Sequence, residues 1–231
     1  MTIGDQIIYE DNHLLVLNKR GGQITQSDKT GDICMCDEIR DFMRVRDHKP
    51  GNIFCGVVHR LDRPVSGAVV FAKTSKALGR LNQMIKERRD FEKRYWAIVK
   101  NAPPQKEGHL ENYLRRVPRL NKSFVVEGPG ADTRLAVLDY RELAVSSGGY
   151  HLLEIVLHTG RHHQIRCQLA HIGSPIKGDL KYGYPRSNRD GNISLHSRQI
   201  ILDHPVRHET MTFVADPPTE FYHLFDFNQL N

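Results

Sequence analysis

The sequence predicts an α+β fold, a mixed and mainly antiparallel β-sheet flanked by helices. Three observations lead there. Most of the chain reads as short β-branched or aromatic runs punctuated by turn residues, several of them arranged as hairpins. Only three stretches, near 32–46, after Thr74 and over 165–172, carry apolar residues at helical spacing. No internal repeat and no long linker breaks the order, so residues 1–231 are expected to form one domain.

The elements follow in order. Residues 7–9 and 13–17 read as two strands around the turn Glu10-Asp11-Asn12, after which Asn18-Lys19-Arg20-Gly21-Gly22 stops the pattern. Ile33, Cys36, Ile39, Phe42 and Met43 line one face of a helix over about 32–46, and His48, Lys49, Pro50 and Gly51 make a loop. A β-rich run from Phe54 to Val58 is interrupted by a charged turn with Pro64 and Gly67 and resumes from Ala68 to Ala72. Thr74 is a fitting N-cap for a helix whose buried face is Ala77, Leu78, Leu81, Met84 and Ile85. Residues 92–100 alternate as a strand. Between 101 and 132 only turn residues and a basic segment, Arg115, Arg116, Arg119 and Lys122, stand out; that segment suits a phosphate contact or an exposed hairpin tip. Strands over 132–142 and 150–158 flank Ser146-Ser147-Gly148-Gly149, and a helix carrying Ile165, Leu169 and Ile172 ends at Gly173.

Composition bounds the function classes. With 39% hydrophobic residues a normal core is available, and 33 Lys plus Arg against 27 Asp plus Glu give a net charge of +6, which suits a polyanionic partner. No run of 18 apolar residues and no basic-then-apolar start is present, so a cytoplasmic protein is expected, without membrane association. Cys34, Cys36, Cys55 and Cys167 lack the spacing of a zinc or redox site and are expected as reduced, partly buried thiols. His158, His162, His163 and His171 cluster near one strand-to-helix junction without the frame of a metal site. On spacing alone, Asp62 fits a surface ion pair with Arg60 or Arg63, Tyr95 an inward core tyrosine, and Arg161 and Arg166 two solvated arginines.

One resemblance changes that balance. His59-Arg60-Leu61-Asp62-Arg63-Pro64-Val65-Ser66-Gly67 resembles, at every defined position, the His-Arg-Leu-Asp-x-Pro-x-Ser-Gly block around the catalytic aspartate of the RluA-type RNA pseudouridine synthases. Lys93-Arg94-Tyr95-Trp96-Ala97-Ile98-Val99 is similar to the family's second block, and Thr159-Gly160-Arg161-His162-His163-Gln164-Ile165-Arg166 to its third. Ser174-Pro175-Ile176-Lys177-Gly178-Asp179, Tyr182-Gly183, Leu195-His196 and His204-Pro205 continue the pattern, which spans roughly residues 7 to 215. The resemblance implies a pseudouridine synthase fold with an RNA-binding cleft across the sheet, and isomerisation of uridine in structured tRNA or rRNA. It implies Asp62 as the catalytic carboxylate, acting as nucleophile or as base, Arg166 as its pairing and orienting partner, and Tyr95 stacked on the target base. Arg60, Arg63, Lys93 and Arg161 would hold the RNA backbone. It implies no cofactor and no metal; no obligatory protein partner is evident, a monomer is the simplest assumption, and, although some relatives carry a small N-terminal RNA-binding domain, none is expected here because the chain has no room for one before its first strand. Arg20 departs from the family's Asn-Lys-Pro-x-Gly loop, which loosens the expected turn and leaves Lys19 between a solvent-facing role and a phosphate contact. Two rivals remain at this level: a non-catalytic RNA-binding module, and a metal-dependent RNA hydrolase using His158, His162 and His163.

Overall fold

The structure is a computed structural model and describes residues 2–27, 31–48 and 50–227, so the loop residue Lys49 lies outside the described residues. Its elements are Ile7–Glu10 (β1), Leu14–Lys19 (β2), Met35–Arg46 (α1), Gly56–Val57 (β3), Ser66–Ala72 (β4), Ser75–Glu87 (α2), Phe91–Val99 (β5), Glu107–Val117 (β6), Lys122–Val126 (β7), Thr133–Val145 (β8), His151–Leu157 (β9), Gln164–His171 (α3), Leu195–Asp203 (β10), Thr210–Val214 (β11) and Thr219–Leu224 (α4). They group into two compact units, one of Met1–Glu92 with Ser197–Asp216, the other of Lys93–His196 with Pro217–Asn231. Both are built on antiparallel sheet with few helices, as the strand-rich pattern predicts.

In the first unit β4 runs between β2 and β10 and is buried at every one of its seven positions. Its register with β2 places Leu14 opposite Ala72 and Val16 opposite Val70. Those four side chains form a core with Ile200 and Leu202 of β10, Phe213 of β11, and Ala77 and Leu81 of α2. Each fully buried aliphatic of this kind stabilises by roughly 1.5–3 kcal/mol. The expected N-cap of α2 is present: the Thr74 hydroxyl accepts from the Ala77 N–H at 3.2 Å.

Two boundaries in this unit differ from the sequence reading. Helix α1 begins at Met35, not near 32, and Ile33 is 76% exposed rather than part of the buried face. The Met35 N–H donates to the Ile24 carbonyl at 2.7 Å and Cys34 is extended, so the chain is tied down straight until Met35. The run from Phe54 to Val58 is strand only over Gly56–Val57, and Phe54 is exposed. Its partner β4 ends at Ala72, opposite Gly56, which leaves the earlier residues nothing to pair with.

In the second unit the strand order is β5-β9-β8-β6-β7, every neighbour antiparallel. Strands β6 and β7 form a hairpin through residues where the sequence predicts no element. Of the 11 residues of β6 only Leu114 is buried, and the half-buried positions that alternate before it include Gly108 and Asn112, so no apolar alternation marks it. Its tip, with Arg115, Arg116 and Arg119 exposed, turns at Pro118–Leu120 and Asn121. Helix α3 packs on this end through Cys167, against Leu114, Ala136 and Tyr182, and α4 packs Phe221 on Ile98 and Leu152 with Phe225. Gly173 ends α3 as expected: at φ +85 it lets its own N–H reach the Ala170 carbonyl and the Ser174 N–H reach Leu169.

All four cysteines are free and buried. No helix among the described residues is long and apolar enough to cross a membrane.

Candidate active site

Asp62, Arg60 and Arg63 belong to the first unit, on the turn between β3 and β4. A chain that leaves one strand and returns into a fully buried one must bend sharply, and Val65 N–H closes that bend on the Asp62 carbonyl at 3.0 Å. Three neighbours hold it. The Gly22 N–H donates to the Arg63 carbonyl at 2.7 Å, and the buried Thr25 hydroxyl bridges both the carbonyl and the N–H of Leu61, at 3.3 and 3.4 Å. Lys19 does the most: its ammonium donates to the carbonyls of Arg20, Arg63 and Val65 at 2.9, 3.2 and 2.6 Å.

Lys19 is therefore neither of the two things its sequence position suggests. It is 0% exposed, so it meets neither solvent nor a phosphate. A turn that directs several carbonyls inward needs a buried donor, and a lysine with three hydrogens satisfies three of them at once. Burial pushes its amine down to about 7, while the negative charge of Asp62 pulls it up and Arg63 presses it down again. Replacing it by methionine keeps the volume and takes the ammonium donor from all three carbonyls, of which that of Arg63 keeps the Gly22 N–H. The Lys19→Met variant should lose about 2–3 kcal/mol and about 5–10 °C of melting temperature. A thermal melt within 1–2 °C of wild type (roughly the size of a neutral surface change) would mean the ammonium is not bracing the turn.

The loosening expected from Arg20 does not occur, because the Arg20 N–H, which a proline lacks, donates to the Gln23 side-chain oxygen at 2.9 Å. Asp62 itself is half-buried, Arg60 is exposed, and Arg63 is exposed and reaches Asp32 at 2.8 Å. His59 accepts the Val70 N–H at 3.2 Å and lies edge-on to Phe91, so the first residue of the block is a strand anchor.

Tyr95, Lys93, Arg161 and Arg166 belong to the second unit. Tyr95 is buried in β5 opposite Ile155 of β9. Lys93 is half-buried near the backbone of Gly160, where a methyl group on the glycine would stand 3.4 Å from its nitrogen, and burial lowers its pKa. The segment 159–164 is knotted through Gln164: its side-chain oxygen accepts from the Thr159 hydroxyl and the Arg161 N–H at 2.7 and 3.0 Å. The amide end of Gln164 donates to the Val137 carbonyl at 3.1 Å. Arg161 is half-buried and donates through Nε to the Leu135 carbonyl at 2.8 Å.

Arg166 is 5% exposed, so the picture of two solvated arginines on a plain helix is wrong. Its Nε and one terminal nitrogen fork onto the two oxygens of Asp179 at 2.7 and 2.8 Å, and its guanidinium carbon stands 5.2 Å from the centre of the Tyr182 ring. The sequence reading uses Asp179 only as a loop landmark. A charge 1% exposed in a small loop, with an arginine of the same unit as its partner, had no periodic signal to reveal it.

The histidines go elsewhere. His158 pairs with Asp139 at 2.6 Å, His162 bonds Ser123 and Asn121, and His163 bonds the Tyr182 hydroxyl at 3.1 Å. Among the described residues no three His, Cys, Asp or Glu side chains gather as a metal-holding group.

Comparison with known proteins shows the family to which the chain belongs. The family model described as RNA pseudouridylate synthase matches residues 13–171, which includes the 59–67 turn, Tyr95 and Arg166. The chain is 35% identical over 224 residues to the dual-specificity RNA pseudouridine synthase RluA of Haemophilus influenzae, covering 90% of this chain and 91% of that one. It is 32% identical over 246 residues to the ribosomal large subunit pseudouridine synthase D of Neisseria meningitidis, covering 97% of this chain and 61% of the relative. An uncharacterized RNA pseudouridine synthase of Synechocystis is 33% identical over 226 residues, 93% of this chain and 66% of the relative. The chain thus spans about two thirds or less of the length of these last two relatives. Among solved structures, the human RNA pseudouridylate synthase domain containing 4 superposes with a TM-score of 0.80 at 23% identity, over 96% of this chain and 92% of that one, so the fold is shared. The chain belongs to the RNA pseudouridylate synthase family.

Proposed function

We propose that this protein isomerises uridine to pseudouridine in structured RNA, with Asp62 as the catalytic carboxylate. The observation that carries the reading is the bracing of the 59–67 turn: Lys19, Thr25 and Gly22 fix its backbone from three directions while the carboxylate of Asp62 stays half-buried. A carboxylate held on a rigid turn is pre-organised for a nucleophile or a base, and either role suits the reaction. The glycosidic bond from C1′ to N1 breaks, the base turns, a bond from C1′ to C5 forms, and the proton lost from C5 is balanced by one gained at nitrogen. No electron or phosphate changes hands, so the reading calls for no cofactor and no metal.

In this reading Arg166 pairs with Asp62 and orients it, and Tyr95 stacks on the uracil once the nucleotide is turned out of its stack. Arg60, Arg63, Lys93 and Arg161 hold the backbone of the RNA. The partner is tRNA or rRNA, in keeping with the net charge of +6 and with relatives whose names include both a tRNA pseudouridine synthase C and a large-subunit enzyme. The protein acts as a monomer in the cytoplasm. A metal-dependent hydrolase would instead recruit His158, His162 and His163, yet these are tied to Asp139, Ser123, Asn121 and Tyr182.

The test is turnover. Unmodified tRNA and rRNA transcripts labelled with tritium at uridine C5 should release label and keep their length, and should do so in excess chelator. Binding without release would leave only the RNA-binding module, and chain cleavage that chelator stops would leave the hydrolase.

A further inference from the structure

We infer that Asp179 is a positioning residue for the reaction, acting through Arg166; the inference rests on the role proposed above for that arginine. Arg166 leaves the body of α3 as a long side chain with several rotatable bonds. Nothing about a helix position fixes where its planar end points. The fork from Asp179 does: both carboxylate oxygens are used, at 2.7 and 2.8 Å, and a bidentate pair sets the plane of the guanidinium as well as its distance.

Asp179 can serve as a fixed point because its own loop is rigid. Its carbonyl accepts from the N–H groups of both Tyr182 and Tyr184, at 3.1 and 3.0 Å, and its N–H donates to the Ile176 carbonyl at 3.0 Å. Gly178 before it has φ +86 and lies so close to the Asn192 carbonyl that a Cβ would stand 2.8 Å away. Tyr182, three residues on, closes the other side with its ring against the guanidinium. The tyrosine is itself pinned, its hydroxyl accepting from the Ser123 N–H at 2.9 Å. A buried charge pair is a poor way to gain stability, since desolvating both ions offsets most of their attraction. Its value lies in orientation.

An asparagine at 179 keeps the shape but turns one of the two acceptors into a donor that faces an arginine N–H. The experiment measures kcat and KM for tritium release from unmodified tRNA and rRNA transcripts, below the melting temperature of each variant. It compares wild type with Asp179→Asn, Asp179→Glu and Arg166→Lys. Asp179→Asn should lower kcat by at least about 30-fold with KM changed by less than about 3-fold, the signature of an interaction that matters only in the transition state. Asp179→Glu keeps the charge, so no buried ion is left unpaired, displaces the fork, and should lower kcat by about 10-fold; it decides the matter if the asparagine variant does not fold. Wild-type kcat in Asp179→Glu or in folded Asp179→Asn, beside an inactive Arg166→Lys, would overturn this inference and leave the arginine's role standing. Wild-type kcat in Arg166→Lys would remove the arginine's role and this inference with it.

Discussion

Asp62→Asn protein should bind its RNA with an affinity within about 3-fold of wild type and form no measurable pseudouridine, a loss of at least about 10⁴-fold in kcat. The substitution is nearly isosteric, so the turn closed by Val65 N–H on the Asp62 carbonyl has no reason to open, and Lys19, Thr25 and Gly22 still hold the backbone on either side. What disappears is the charge, and with it the ability to attack a sugar carbon or to take a proton. Tritium release from C5-labelled transcript reads the chemistry, and filter binding of the same transcript reads the grip. Release at more than a few per cent of the wild-type rate would move the catalytic role away from Asp62. A parallel loss of binding and turnover would instead show that the aspartate holds the RNA.

Gly67→Ala should be the most destabilising single change in the 59–67 turn, at about 4 kcal/mol or more, combining backbone strain with overpacking. The glycine has φ +115, outside the comfortable range of any L side chain. A Cβ built on it would stand 2.3, 2.5 and 2.7 Å from the O, N and C atoms of Ser197. Those are backbone atoms of β10, within the first unit, and they cannot swing aside as a side chain would. The expected result is a large drop in denaturant midpoint, or insoluble protein, where Gly79→Ala, at a helix position with open space around it, should cost nothing. A Gly67→Ala midpoint equal to wild type would mean β4 and β10 do not approach as closely as described.

What could be read from the sequence followed periodicity and short local rules. Helix α2 was legible because Thr74 caps it and Ala77 and Leu81 recur on its buried face, and the end of α3 because Gly173 supplies the left-handed residue that its last carbonyls need. The hairpin of β6 and β7 was not, since the inward face of β6 carries Gly108 and Asn112 beside Leu110 and Leu114 and so shows no apolar alternation in its residue types. The candidate site divides the same way. The block at 59–67 names Asp62 but not what supports it: Lys19 lies 43 positions before Asp62 in the sequence, and its targets are backbone carbonyls, which leave no mark in residue types. Asp179 is hidden for a related reason, since the loop that brings an acid to Arg166 depends on Gly178 and on carbonyl contacts that leave no pattern in residue types.

The hydrogen bond from Arg20 N–H to Gln23 carries a consequence for any redesign of this loop. A ring residue at position 20 would be rigid before the chain folds, whereas arginine arrives supple and must be quieted by a neighbour. The two positions are thus coupled: proline at 20 would gain rigidity in the unfolded chain and at the same time take the N–H from the half-buried amide oxygen of Gln23.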